Sequence, residues 1–132
     1  MRLVVLESPF AGKGDTPEER ARNTERNKRY LSRCIQDCLR RGESPYGSHR
    51  MLTAALDDTQ PEERDLGIRA GFAWRTAARA TVVYTDHGIS SGMRYGIEDA
   101  VRERDARLYA PSQGPHAIEY RSIGAEPEEV SA

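Results

Sequence analysis

Two cysteines, two phenylalanines and one tryptophan are all that this 132-residue chain holds of those residue types. Cys34 and Cys38 are too few for a disulfide framework. Four apart on a helical stretch, they share a face and read as small apolar core groups. His49, His87 and His116 show no ligand spacing with them, so no metal site is expected. The first apolar run, Leu3-Val4-Val5-Leu6, is too short for a signal peptide or a membrane span, which makes a cytoplasmic location the expectation. Neither sign of charge dominates: 20 basic against 21 acidic side chains leave a net charge of -1. No overall field therefore favours nucleic acid or an anionic membrane. At this length one domain is expected, without an internal repeat or a long linker.

The stretch from Ala80 to Ala100 organises the rest. Ala80-Thr81-Val82-Val83-Tyr84 is a β-branched run bounded by turn formers and reads as a buried strand of a parallel sheet. After the polar turn Thr85-Asp86-His87-Gly88, the residues Ser90-Ser91-Gly92 offer caps for a helix from about Gly92 to Asp105. Met93, Ile97, Ala100 and Val101 form its apolar face. Backbone N–H groups at such a helix start suit phosphate or carboxylate; the plain alternative is an ordinary strand-to-helix connection.

Arg2 to Glu7 is a strand, followed by Ser8-Pro9-Phe10-Ala11-Gly12-Lys13-Gly14. Glycine and lysine there suggest a phosphate loop, but the order G-x-x-x-x-G-K-[ST] is absent, leaving a flexible loop. Thr16-Pro17-Glu18-Glu19 starts a helix that runs to about Arg41, closed by Gly42. Tyr30, Leu31, Cys34, Ile35, Cys38 and Leu39 are its buried stripe. In its polar first half Glu18 and Glu25 precede Arg22 and Arg29 by four residues, which favours an ion-paired solvated face over an arginine row for phosphate. Ser44 to His49 is a short strand or turn, and Met51 to Leu56 adds a helical turn. A second capping pattern before Pro61 opens a helix from about Gln60 to Ala78, with Leu66, Ala70, Ala73 and Ala77 on its core face beside Phe72 and Trp74. An irregular loop spans Arg107 to Ala117, the alternating Ile118 to Ile123 is the last strand, and residues 125–132 form an acidic frayed tail. Alternating strands and helices of this kind predict an α/β fold with a parallel sheet between helices and a site at the carboxyl ends of the strands.

The Ser8-Pro9-Phe10 loop, the segment from Pro45 to His49, and Asp86 through Ala100 together resemble the nucleoside 2-deoxyribosyltransferase-like superfamily, most closely its small bacterial and phage members. The resemblance runs from Leu3 to Arg121, within a single domain of residues 1–124. It implies a flavodoxin-like three-layer sandwich with a mostly parallel sheet of about four to five strands. It also implies a nucleoside or nucleotide ligand, no metal or organic cofactor, and assembly as a homodimer or larger homo-oligomer. In such enzymes a carboxylate attacks the anomeric carbon as the base departs. That nucleophile stands four residues after the loop glycine, which here is Gly96; a glycine offers no nucleophile, and the space above it suits a base or sugar ring instead. Asp86, as a general acid or a ribose acceptor, and Glu98, two residues beyond Gly96 and about 200° around the helix, are the remaining candidate catalytic carboxylates. For ligand binding the same resemblance points to Ser8, Ser90 and Ser91 at phosphate or as caps, and to Phe10, Tyr46 and Met93 as stacking groups or core. His49 would act at phosphate or in proton transfer, with Pro9, Asp86, Gly88, Gly92 and Gly96 around them. Three functions follow: a binder that sequesters or senses a nucleotide-derived molecule, an N-glycosidase or deoxyribosyltransferase with a relocated carboxylate, or an interaction subunit that pairs through the small-residue helix.

Overall fold

A computed structural model describes residues 1–47, 55–57 and 59–127. Among the described residues four strands alternate with three α-helices: β1 Arg2–Glu7, α1 Pro17–Arg40, β2 Glu43–Tyr46, α2 Pro61–Ala77, β3 Ala80–Tyr84, α3 Ser91–Arg107 and β4 Ala117–Arg121. All strand pairs are parallel and their order across the sheet is β2-β1-β3-β4. The architecture is an α/β three-layer sandwich of the flavodoxin-like kind: the alternation of elements predicts its parallel sheet between helices, and the resemblance implies the flavodoxin-like form. No helix among the described residues is long and apolar enough to cross a membrane.

Local chemistry sets the helix limits. The Thr16 hydroxyl accepts from the Glu19 amide at 3.1 Å, Pro17 fills the first turn, and Gly42 follows the end at φ 80°. At α3 the Ser90 hydroxyl accepts from the Met93 amide, so the helix starts one residue before the expected Gly92 and continues to Arg107. Gln60 caps α2 without a side-chain bond, so the expected capping box does not form; instead the Asp57 carboxylate accepts from both the amide and the hydroxyl of Thr59.

Alternation along the strands divides the core. Val4, Leu6, Ala80, Val82 and Tyr84 face α1, where they meet Tyr30, Leu31, Cys34 and Cys38. Both cysteines are free and fully buried, and burial pushes the Cys34 thiol up to about 12. Leu39, expected in this stripe, is 48% exposed. Glu7, Thr81 and Val83 face the opposite way, towards α2 and α3. The expected core face of α2 is corrected: Leu66, Ala73 and Ala77 are exposed, and Gly71 and Arg75 are the buried positions. Apolar small residues suggested the wrong stripe, because an ion-paired arginine takes the place of a core side chain. In β4 the buried member is Arg121, while Tyr120 is 58% exposed. The Arg121 guanidinium forks onto both Glu43 oxygens at 2.7 Å and lies over the Tyr84 ring. The chain after β4 is docked: Glu126 pairs with Arg29, and Arg33 donates to the Gly124 and Ala125 carbonyls. Only residues 128–132 of the expected frayed tail lie outside the described residues, as do residues 51–54 of the expected helical turn.

Candidate functional site

The strand order places a topological switch between β1 and β3. From β1 the chain leaves to α1 on one face of the sheet, and from β3 it leaves to α3 on the other. Two loops that part in this way open a crevice beyond the carboxyl ends of their strands, where open α/β sheets hold ligands. Ser8, Pro9 and Phe10 form one side, and Asp86 to Ser91 form the other.

The first loop is not the flexible segment expected. Polar residues in the opening turns of α1 hold it: Thr24 accepts from the Gly12 amide, Asn23 and Arg20 donate to the Lys13 and Gly14 carbonyls, and Asn27 donates to the Phe10 carbonyl. A Cβ on Gly12 would stand 2.2 Å from the Arg20 carbonyl, so only glycine lets the loop lie this close. Among the described residues two polar atoms at this end have no hydrogen-bond partner, the buried Ser8 hydroxyl and the Asn27 Oδ1.

Asp86 sits at the end of β3 with its carboxylate surrounded by donors of the chain itself. Tyr30 Oη donates at 2.6 Å, and the Ser122 hydroxyl and the Ile123 and Gly124 amides complete the set. Burial raises its pKa, but these donors outweigh that and hold the carboxyl well below the usual range. The environment suits an ionised acceptor and not a general acid. Burial and the Asp86 bond push the Tyr30 phenol upward in turn. His87, not singled out by sequence, stacks on the Tyr30 ring with centroids 4.2 Å apart. Burial and the nearby Arg26 and Arg33 charges lower its pKa. These residues line a cleft of about 380 Å³ together with Glu126, at the same edge of the sheet. A hollow of about 500 Å³ lies elsewhere, by Thr76, Arg79, Glu103 and Arg107. There the Arg107 donors are spent on Glu103 and on the Thr76 and Ala78 carbonyls.

The other expected residues divide. Glu98 is exposed, while Gly96 two residues earlier is buried, so Glu98 points out of the crevice. Met93 is wholly buried and its sulfur faces the Ser90 amide at 3.4 Å; it is core and cap, not a stacking surface. Tyr46 stacks on Trp74 with centroids 4.8 Å apart, and its buried hydroxyl has no partner among the described residues. Ser90 caps α3, Ser91 and Gly92 stand exposed in its first turn, and Gly88 makes the turn at φ 78°. His49 lies outside the described residues.

Gly96 has a physical explanation that sequence did not supply. A Cβ there would stand 2.1 Å from Glu7 Oε1, 2.4 Å from Cδ and 2.6 Å from Oε2. The space is therefore filled by the side chain of Glu7, not left for a base or sugar. Gly96 costs roughly 1 kcal/mol of helix propensity relative to alanine, a cost that this contact imposes. Glu7 Oε1 accepts from Arg75 Nη2 at 3.0 Å. Arg75 also donates to Asp99 at 2.8 Å and to the Thr81 hydroxyl at 2.6 Å. With its oxygen so engaged, the Thr81 hydroxyl donates a hydrogen bond to His116 Nε2, and His116 Nδ1–H donates to the Ala78 carbonyl. This fixes His116 as the neutral Nδ1–H tautomer, and burial lowers its pKa accordingly. Burial raises the pKa of Glu7 against the opposing pull of Arg75. Among the described residues no group of three or more His, Cys, Asp or Glu side chains could hold a metal ion.

No curated protein and no solved structure matches the chain. Residues 2–109 match the family described as Domain of unknown function (DUF7768), and the chain belongs to that family.

Proposed function

We propose that the chain binds a nucleoside- or nucleotide-derived small molecule at the carboxyl ends of β1 and β3, as a protein that sequesters or senses it. The observation that carries this reading is the switch between β1 and β3, where the loops part to opposite faces of the sheet. The surroundings supply the groups such a ligand needs. The α3 start presents Ser91 and Gly92 at a positive dipole end. On the α1 side of the turn after β3, a volume of about 380 Å³, within the range of small-ligand sites, lies between the stacked rings of Tyr30 and His87 and residues 124–126, with Arg26 and Arg33 among its lining. Asp86 and Glu98 favour binding over cleavage, one saturated with hydrogen bonds and the other facing outward.

A second reading is hydrolysis of an N-glycosidic bond. The Glu7 carboxylate against Gly96 favours it, because a carboxylate does occupy the space of the missing side chain. In that reaction the bond between sugar and base breaks, the base leaves with the electron pair and takes up a proton, and the oxygen of water ends on the anomeric carbon.

One screen separates the two. Nucleosides, nucleoside monophosphates, ADP-ribose-type compounds and cyclic nucleotides are tested by thermal shift, and each mixture is then chromatographed. A rise in melting temperature with ligand recovered intact is the expected result. Free base in the mixture would replace the first reading by the second. No shift with any compound would remove both and leave a protein-interaction subunit.

A further inference from the structure

We propose, resting on the ligand-binding reading above, that Glu7 is the carboxylate this site presents to its ligand, where it accepts hydrogen bonds from the hydroxyls of a nucleoside-type sugar. Glu7 closes β1 at the point where the loops part, and Ser8 beside it carries a buried hydroxyl without a partner. The carboxylate is aimed by residues from three elements and the loop before β4. Arg75 of α2 holds it, and Asp99 of α3 and Thr81 of β3 fix Arg75. His116, just before β4, fixes Thr81. Buried ion pairs of this sort add little stability that well-packed apolar residues would not, so so many residues orienting one carboxylate point to use of that group. Gly96 is part of the same arrangement, since any side chain there would displace the carboxylate from its place.

The other acids near this edge are committed elsewhere. Asp86 accepts from Tyr30, Ser122, Ile123 and Gly124. Asp99 is paired with Arg75 and, at 3.7 Å, with Arg102. A carboxylate is an acceptor only: it repels phosphate and complements hydroxyl donors. The α3 start has the opposite preference. The two together would orient a ligand with its sugar towards Glu7 and its phosphate towards Ser91 and Gly92.

The test uses the full chain and, as probes, the four ribonucleoside 5′-monophosphates with their 2′-deoxy and 3′-deoxy counterparts, by calorimetry. Loss of a charged hydrogen bond predicts that Glu7→Gln weakens the tightest probe about 10- to 100-fold. The variant should also lose the discrimination among ribo and deoxy forms, with its circular dichroism unchanged. The double variant Glu7→Ala/Gly96→Glu, which returns a carboxylate to the same space from α3, should recover affinity to within about threefold of wild type on the same grounds. A folded Glu7→Gln protein that binds like wild type, or that weakens every probe equally, overturns the assignment while the binding reading stands. Should Glu7→Gln not fold, a folded double variant without affinity overturns the assignment and a binding one supports it. Failure of wild type to bind any probe removes the binding reading, and the assignment with it.

Discussion

The two faces of the sheet are built from the same alternating strands and yet hold different chemistry. Facing α1, the strands present Val4, Leu6, Val82 and Tyr84 to an apolar stripe, and the buried charge centres on the Arg121–Glu43 pair, which Arg2 and Glu119 extend towards the rim. Facing α2 and α3, the buried apolar residues Val5, Val83, Met93 and Ala100 accompany a polar network of Glu7, Arg75, Thr81 and His116. The α1 face is what a stable fold requires. The other face gives up apolar burial to hold one carboxylate in place. A single strand, β1, contributes Leu6 to the first and Glu7 to the second.

Substitutions on the two faces should therefore differ in kind. The largest effect is expected from Arg121→Met, which leaves Glu43 charged and buried without its fork; urea denaturation should show a loss of about 3–5 kcal/mol. Adding Glu43→Met should restore most of it, because an apolar pair fills the same place. Next, Leu6→Ala should cost about 2–5 kcal/mol by removing core volume, with ligand-induced thermal shifts still present. Full stability in either variant would break the assignment of stability to this face.

On the other face the sign should depend on the partner. Gly96→Ala should destabilise by about 1–3 kcal/mol, because its Cβ overpacks a held carboxylate. In a Glu7→Ala background the same change should stabilise by up to about 1 kcal/mol through helix propensity. Equal effects in both backgrounds would mean that the two residues do not share the space. The smallest effect is a slope with pH. His116 is held neutral in the folded state and its folded pKa lies below the unfolded one. The unfolded chain then binds more protons on acidification. The stability involved is present above the unfolded value near pH 6.5 and is lost as pH falls below it towards the lowered folded value. His116→Gln should remove that part of the slope, as urea midpoints across this range would show.

Much of the frame was legible in the sequence. β1 and β3 are short apolar runs, α1 has a capped start and a period of 3.6, and alternation of elements predicts a parallel sheet. What escaped were residues whose meaning lies in a distant partner. Nothing in the sequence marks Arg75, whose role appears only when Glu7, Thr81 and Asp99 surround it. Glu7 reads as the polar end of a strand, although continuing the alternation from Val5 would have turned it inward. Gly96 reads as an empty place on a helix, because nothing local reveals that β1 fills it. Asp86 was found by its place at the end of β3, but its saturation depends on Ser122, Ile123 and Gly124, far along the chain. Hydropathy also misled at α2, where alanines pointed to one stripe and an ion-paired arginine occupied another.

The contact between Glu7 and Gly96 also sets an order in which the chain can change. Two successive substitutions would move the carboxylate from β1 to α3, and they do not commute. Enlarging position 96 first forces a side chain into occupied space, so that route begins with a damaged fold. Shrinking position 7 first vacates the space and gives a tolerated intermediate, from which an acid on α3 is one step away. The reverse journey begins by shrinking position 96. In either direction the old carboxylate leaves before the new one arrives, so any passage between the two arrangements goes through a chain with neither.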